Sequence, residues 1–221
     1  SSELVTQALS GVRTPKIIAD TRREFHTMWN EVTLGQYLDI HEESAWTTVS
    51  DDERFHRAMR VVTFKSAKYS MEAPLLLGAS LADASAVELS QLAHFGLPLG
   101  IAFQLRDDLL GVFGDPEHTG KPSGDDLREG KRTVLIALAE SQMSPGVRGV
   151  FNEMLGDPEV SDDQIAVMQQ TLRDTGAVDR LEHIIGDAAQ KARTALDESA
   201  LDAEAVAELH RLADAVVSRN S

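Results

Sequence analysis

The chain reads as an all-α protein. Three observations predict this. Alanine and leucine recur at three- and four-residue spacing along most of its length, no region shows a convincing series of alternating strands, and aromatic residues make up only 5% of the chain. With 221 residues, 42% of them hydrophobic and 26% charged, the chain is long enough for one sizeable core. No repeat or low-complexity tract divides it, so residues 1–221 are read as a single domain.

The elements follow in order. Residues 3–10 read as the end of a helix. Residues 14–42 form a long helix opened by Pro15 at its first position, with Phe25, Met28, Trp29 and Val32 at helical spacing. Phe25 and Trp29 belong to the core or to an interface. Residues 52–63 and 64–80 give one or two helices, with Pro74 as the place for a kink. Residues 84–113 form another long helix, with a break expected around Gly96 to Gly100. The Gly/Pro-rich connection 114–130 has a length that is usually functional rather than passive. Helices follow near 131–141, 146–155, 161–175, 177–197 and 202–219. The last three are amphipathic and charged outside, as a peripheral layer would be.

The net charge of −15 argues against nucleic-acid binding, which needs clustered basic residues. Cysteine is absent, so disulfide and thiol chemistry are excluded; that fits a cytoplasmic location. No signal peptide is visible, and the apolar stretch 73–82 is too short to span a membrane.

The chemistry concentrates between Phe103 and Lys131. An apolar helix carries Asp107 and Asp108, a Gly/Pro-broken turn follows, and Lys121 and Lys131 come after it. Carboxylates suit a hard cation such as magnesium, and lysines suit phosphate oxygens. The pattern points to a metal-bridged diphosphate site, in which the cation reconciles an acidic protein with an acidic ligand. A local ion pair with Arg106 is the plainer explanation of the two aspartates. Asp51-Asp52 and Asp162-Asp163 follow Ser50 and Ser161, and are read as helix N-terminal acids. The histidines show no metal-binding spacing; His26 and His56 lack a paired ligand at i+4. Three polar patches sit on otherwise apolar helices: Gln36 with Asp39, then Lys65, Ser66 and Tyr69, then Gln104, Asp107 and Asp108.

Residues 103–132 resemble the second aspartate-rich region of the trans-type isoprenyl diphosphate synthases, the polyprenyl synthase family. Gly35-Gln36-Tyr37-Leu38-Asp39-Ile40 is similar to the family's Gly-Gln-x-x-Asp segment. Lys65-Ser66-Ala67-Lys68-Tyr69-Ser70 is similar to its Lys-Thr-x-x-Tyr segment, with Ser66 for Thr. These matches occur in the family's order. The third aspartate of Asp-Asp-x-x-Asp is Gly111 here, and Gly111→Asp is expected to be tolerated or to raise metal affinity slightly. The family's first aspartate-rich motif is not in this sequence. The chain is therefore expected to match the C-terminal part of an isoprenoid synthase-type antiparallel helix bundle around a central cavity, with the N-terminal helices absent.

The resemblance implies a magnesium-dependent prenyltransferase that condenses isopentenyl diphosphate with an allylic diphosphate, of the geranylgeranyl diphosphate synthase kind. It implies Asp107, Asp108 and Asp125 around the metal, and Lys65, Lys121 and Lys131 on the diphosphate. Gln36, Asp39, Ser66, Tyr69 and Gln104 are implied to line the cavity, with Phe103 along the isoprenoid. On the residues alone, Tyr69 and Phe103 could equally be core, and the lysines ordinary solvated charges. A homodimer is also implied. The other readings are a non-catalytic diphosphate-binding or regulatory subunit and a terpene cyclase; the sequence lacks the second motif of the cyclases.

Overall fold

The computed structural model describes residues 2–120 and 122–217, and every regular element among them is helical. Helix α1, Ser2–Ala8, leads through a 3-10 turn, Leu9–Gly11, to α2, Pro15–Ala45, and a second 3-10 turn, Trp46–Thr48. Helix α3, Asp51–Val61, continues without interruption into a π-helical segment, Val62–Glu72, and α4, Ala73–Leu81. The long α5, Ala86–Phe113, follows. Two short turns occupy the connection: α6, Pro116–Thr119, and α7, Asp125–Arg128. The remainder is α8, Val134–Glu140, α9, Pro145–Met154, α10, Asp162–Asp174, α11, Ala177–Asp197, and α12, Ala203–Val217.

Side-chain hydroxyls fix many starts. Ser50 accepts from Glu53 N, and Ser85 and Ser161 each complete a reciprocal box with Glu88 and Gln164. Asp51-Asp52 and Asp162-Asp163 occupy first helical turns, as expected from the macrodipole.

Neighbouring helices run antiparallel. Lys16 at the start of α2 bonds Asp83 just past α4, Glu31 pairs with Lys68, and Asp39 pairs with Lys65. On the other side of the π segment, Gly96 of α5 lies on Glu72 and Gly100 on Ala67. Farther out, Arg106 holds Glu182 of α11 with bonds of 2.5 and 2.7 Å.

Two sequence expectations change. The break around Gly96 to Gly100 does not occur: α5 is continuous through Pro98. Those glycines serve helix contact instead. A Cβ on Gly100 would lie 2.4 Å from the Ala67 carbonyl oxygen, and one on Gly96 would lie 2.9 Å from Glu72 Cα. Similarly, a Cβ on Gly35 would lie 2.2 Å from Lys65 N, so α2 also meets the π segment backbone to backbone. At Pro74 the chain keeps helical dihedrals, and the hydrogen-bond register widens just before it. The Ala73 N–H donates to Lys68 O, five residues back. Proline has no N–H to close an ordinary turn, and the preceding residues take up the wider spacing.

The core falls into two clusters. The larger joins Trp46, Leu105, Leu109 and Val112 to Leu135, Met168, Leu181 and Ile185. The smaller gathers Phe95 and Leu99 with Ala192, Leu196, Ala213 and Val216 between α5, α11 and α12. Within the larger cluster Glu140 is completely buried. Its Oε2 accepts from Trp46 Nε1 at 2.8 Å and from Arg54 Nη1 at 3.0 Å, and Arg132 lies 3.8 Å from Oε1. A buried carboxylate persists only with such partners. Here they join α2, α3 and the start of α8.

Alanine at Gly100 would have to push the π segment away from α5. Gly100→Ala is expected to destabilise the chain by about 2 kcal/mol, roughly 4–8 °C in Tm. It should do so although alanine favours a helix over glycine by ~1 kcal/mol. Thermal denaturation followed by circular dichroism measures this, and an unchanged or higher Tm would refute the close contact.

Candidate diphosphate and metal site

A cavity of about 210 Å³ opens where α2, α3, the π segment, α5, α7 and the residues before α8 converge. Asp39, Lys65, Ser66, Gln104, Asp107, Asp108 and Lys131 line it, as do Asp126, Arg132 and Thr133. Ala58, Val61 and Val62 supply its apolar wall. Thus one or more members of each sequence patch face the same space.

The charges in the cavity are paired across elements. Lys65 bonds Asp39 of α2. Lys131 bonds Asp126 and, at 2.9 Å, Glu129. Gln104 Nε2 donates to Asp108 Oδ1 at 2.8 Å along one face of α5. Arg106 does not neutralise the aspartates, because it turns away to Glu182. Asp107 is exposed at the mouth of the cavity, while Asp108 and Asp126 are buried.

Burial pushes the Asp108 carboxyl up to about 7, against the Gln104 hydrogen bond, with repulsion from Asp126 and Asp107 adding to it. Burial also raises Asp126, partly offset by Lys131. Burial opposes the charge on Lys131, yet its bonds to Asp126 and Glu129 win and hold its pKa above the ordinary lysine range. The donor set therefore carries more negative charge than its lysines balance comfortably. Oxygen donors in surplus and partly desolvated fit a hard divalent cation such as magnesium. Asp125, Asp126 and Glu129 also bring carboxylate oxygens within 4.8 Å of one another. Lys131 already bonds two of those three, so that group is in part an ion-pair cluster.

The structure separates the sequence candidates. Gln36 and Tyr69 are exposed and do not line the cavity. Tyr69 shares a turn with Lys65 and Ser66 in the sequence, yet its side chain is about half exposed and only the other two line the cavity. Phe103 packs against the smaller core cluster rather than into the cavity. Lys121 lies outside the described residues. Asp126, not Asp125, lines the cavity. The distinction comes from the fold: Leu127 is buried and marks the inward side of α7, and Asp126 sits ~100° from it, Asp125 ~200°. Arg132 and Thr133 were missed because they precede α8 with no periodicity of their own. Arg132 reaches from the cavity wall to Asn152 Oδ1 at 2.6 Å and lies over the Trp46 ring.

Gly111 needs the largest correction. A Cβ there would lie 2.2 Å from Asp126 Oδ2 and 2.4 Å from its Cγ. The space a third aspartate would use on α5 is filled by the Asp126 carboxylate arriving from α7. Gly111→Asp is therefore not expected to be tolerated as the sequence suggested; it would collide with Asp126. Asp115 does not replace the third aspartate either, since its side chain caps α6 by accepting from Glu117 N.

Two outcomes are expected. Gly111→Ala should leave the helix intact but weaken magnesium-dependent pyrophosphate binding ~10-fold, the scale of losing a supporting group. Calorimetry with unchanged affinity would refute the contact. For pH, Asp108 holds its proton in the folded chain up to about 7, while the unfolded value is near 3.8. The associated stabilisation is full below the unfolded pKa and lost as pH rises toward the folded one. Asp108→Asn, which cannot ionise, should therefore gain in Tm over wild type between about pH 5 and about pH 7.5 without metal. A constant difference in paired melts would contradict the buried, protonated carboxyl.

Known proteins share this fold. A crystal structure of geranylgeranyl pyrophosphate synthase from Corynebacterium glutamicum, complexed with isoprenyl diphosphate and magnesium, superposes with a TM-score of 0.86 and 41% identity over 94% of this chain and 57% of that one. The geranylgeranyl pyrophosphate synthetase of Pyrococcus horikoshii superposes with a TM-score of 0.84 and 25% identity, over 97% of this chain and 63% of that one. The geranylfarnesyl diphosphate synthase of Aeropyrum pernix is 33% identical over 190 residues, which are 86% of this chain and 57% of that protein. The chain thus spans less than two thirds of the length of these relatives. The polyprenyl synthetase family model matches residues 3–172, and the chain belongs to that family.

Proposed function

We propose that this chain provides the diphosphate- and metal-binding half of a magnesium-dependent prenyltransferase. The reaction is the condensation of isopentenyl diphosphate with an allylic diphosphate, with a product of the geranylgeranyl diphosphate class. One observation carries the reading: Asp107, Asp108 and Asp126 meet Lys65 and Lys131 around a single cavity. Relatives are named for farnesyl, geranylgeranyl and geranylfarnesyl diphosphate, a range centred on the proposed length. A homodimer in the cytoplasm is the accompanying proposal. Among the described residues no helix is long and apolar enough to cross a membrane.

Asp107, Asp108 and Asp126 would hold magnesium, with Asp125 in support. The ion supplies positive charge that offsets the diphosphate as it leaves. Lys65 and Lys131 bind the diphosphate oxygens, exchanging or sharing their present carboxylate partners Asp39 and Asp126. The resemblance would add Lys121, which lies outside the described residues. The allylic carbon–oxygen bond breaks with its electron pair on the diphosphate. The double bond of isopentenyl diphosphate then attacks the allylic cation, and a proton is lost to the released diphosphate. Gln104 spends its amide N–H on Asp108 and keeps its carbonyl oxygen as a partial negative charge beside the cavity. The Ser66 hydroxyl offers another. Both favour a cation, and the apolar wall of Ala58, Val61 and Val62 limits its access to water.

Asp107→Ala is expected to reduce magnesium-dependent pyrophosphate affinity at least ~100-fold, at the upper end of what removing a supporting residue costs. Titration calorimetry measures it, and unchanged affinity would remove Asp107 from the site. Incubation with labelled isopentenyl diphosphate and farnesyl diphosphate, with and without magnesium, tests transfer itself. Magnesium-dependent extension is the expected result. Pyrophosphate binding with no extension would replace this reading by that of a non-catalytic diphosphate-binding subunit.

A further inference from the structure

Helix α10 contributes no residue to the cavity lining, yet one of its faces holds both chain segments that carry the buried carboxylates. Ile165, Gln169 and Arg173 follow one another at four-residue spacing on that face. Ile165 packs over Gly124, where a Cβ would lie 2.4 Å from Ile165 Cγ2 and where φ is +78°. The Arg173 guanidinium lies 4.4 Å from the centre of the Phe113 ring. Between them, Gln169 Nε2 donates to the Val112 carbonyl oxygen at 2.6 Å and to Ser123 Oγ at 3.1 Å. The Val112 carbonyl is one of the last four of α5 and has no partner within the helix. Val112 directly follows Gly111, and Ser123 stands three residues before Asp126.

We propose that Gln169 is a positioning residue for the diphosphate and metal site, an inference that rests on the function proposed above. Its single amide nitrogen ties the C-terminal turn of α5 to the start of α7. That tie fixes Asp126 over Gly111, on the cavity that Asp108 also lines. Ile165 packs on one of these segments and Arg173 on the other, while Gln169 bonds to both at once. It touches no reacting atom and acts through Asp126.

The test uses the 221-residue chain, inorganic pyrophosphate and magnesium in titration calorimetry, with thermal melts in parallel. Gln169→Ala and Gln169→Met, the second keeping length and packing without a donor, are each expected to lose ~10-fold in affinity. Ser161→Ala, which removes the cap of α10 and loosens the helix without touching the tie, is expected to lower Tm and keep wild-type affinity. Wild-type affinity in Gln169→Met would overturn the inference. So would an equal loss in Ser161→Ala, which would make Gln169 a matter of general stability. Absence of pyrophosphate binding by the wild type would instead overturn the proposed function, and this inference with it.

Discussion

Two carboxylates set side by side inside a protein are unfavourable twice over, since each loses hydration and each repels the other. Asp108 and Asp126 are both 6% exposed, and this juxtaposition is the constraint on which the rest of the site depends. Gln104 donates to one and Lys131 to the other, but the compensation is incomplete, and the Asp108 carboxyl stays up at about 7. Under the proposed function a bound cation would satisfy both. Geometry permits it because α5 carries no side chain at Gly111, where the carboxylate of Asp126 lies.

The scaffold that assembles the remaining groups works by close approach of backbones. Gly35 lets α2 rest on Lys65, and Gly100 lets α5 rest on Ala67, so the π segment is gripped from both sides. This brings Asp39, Lys65 and Gln104 to one cavity although they are far apart in sequence. Within that segment Lys65 and Ser66 line the cavity while Tyr69 is half exposed.

Another buried acid, Glu140, stands behind the cavity wall at Arg132. It gathers Trp46 from the 3-10 turn after α2, Arg54 from α3 and Arg132, the residue after Lys131. Arg148 and Arg54 share Asp51 around it, each with bonds of 2.9 Å. Removing one partner of such a network leaves a charge in a low-dielectric core, so its members stand or fall together. Because Arg132 adjoins Lys131, this core network also limits where the Lys131 ammonium can go.

The sequence by itself determined the class of the fold, the position of nearly every helix, and the two aspartates with their lysine. Periodicity, serine caps and the run from Phe103 to Lys131 are local signals, and local physics is enough to read them. Tertiary structure decided which neighbour of a pair faces inward. Asp125 and Asp126 are indistinguishable in composition, and only the burial of Leu127 against the core selects Asp126. It also decided what the glycines are for: Gly96 and Gly100 look like a break, and Gly111 looks like a lost ligand. Each is instead a place where another segment must come closer than any side chain allows. That requirement belongs to the partner segment and is not written at the glycine, so no reading of the single chain could supply it.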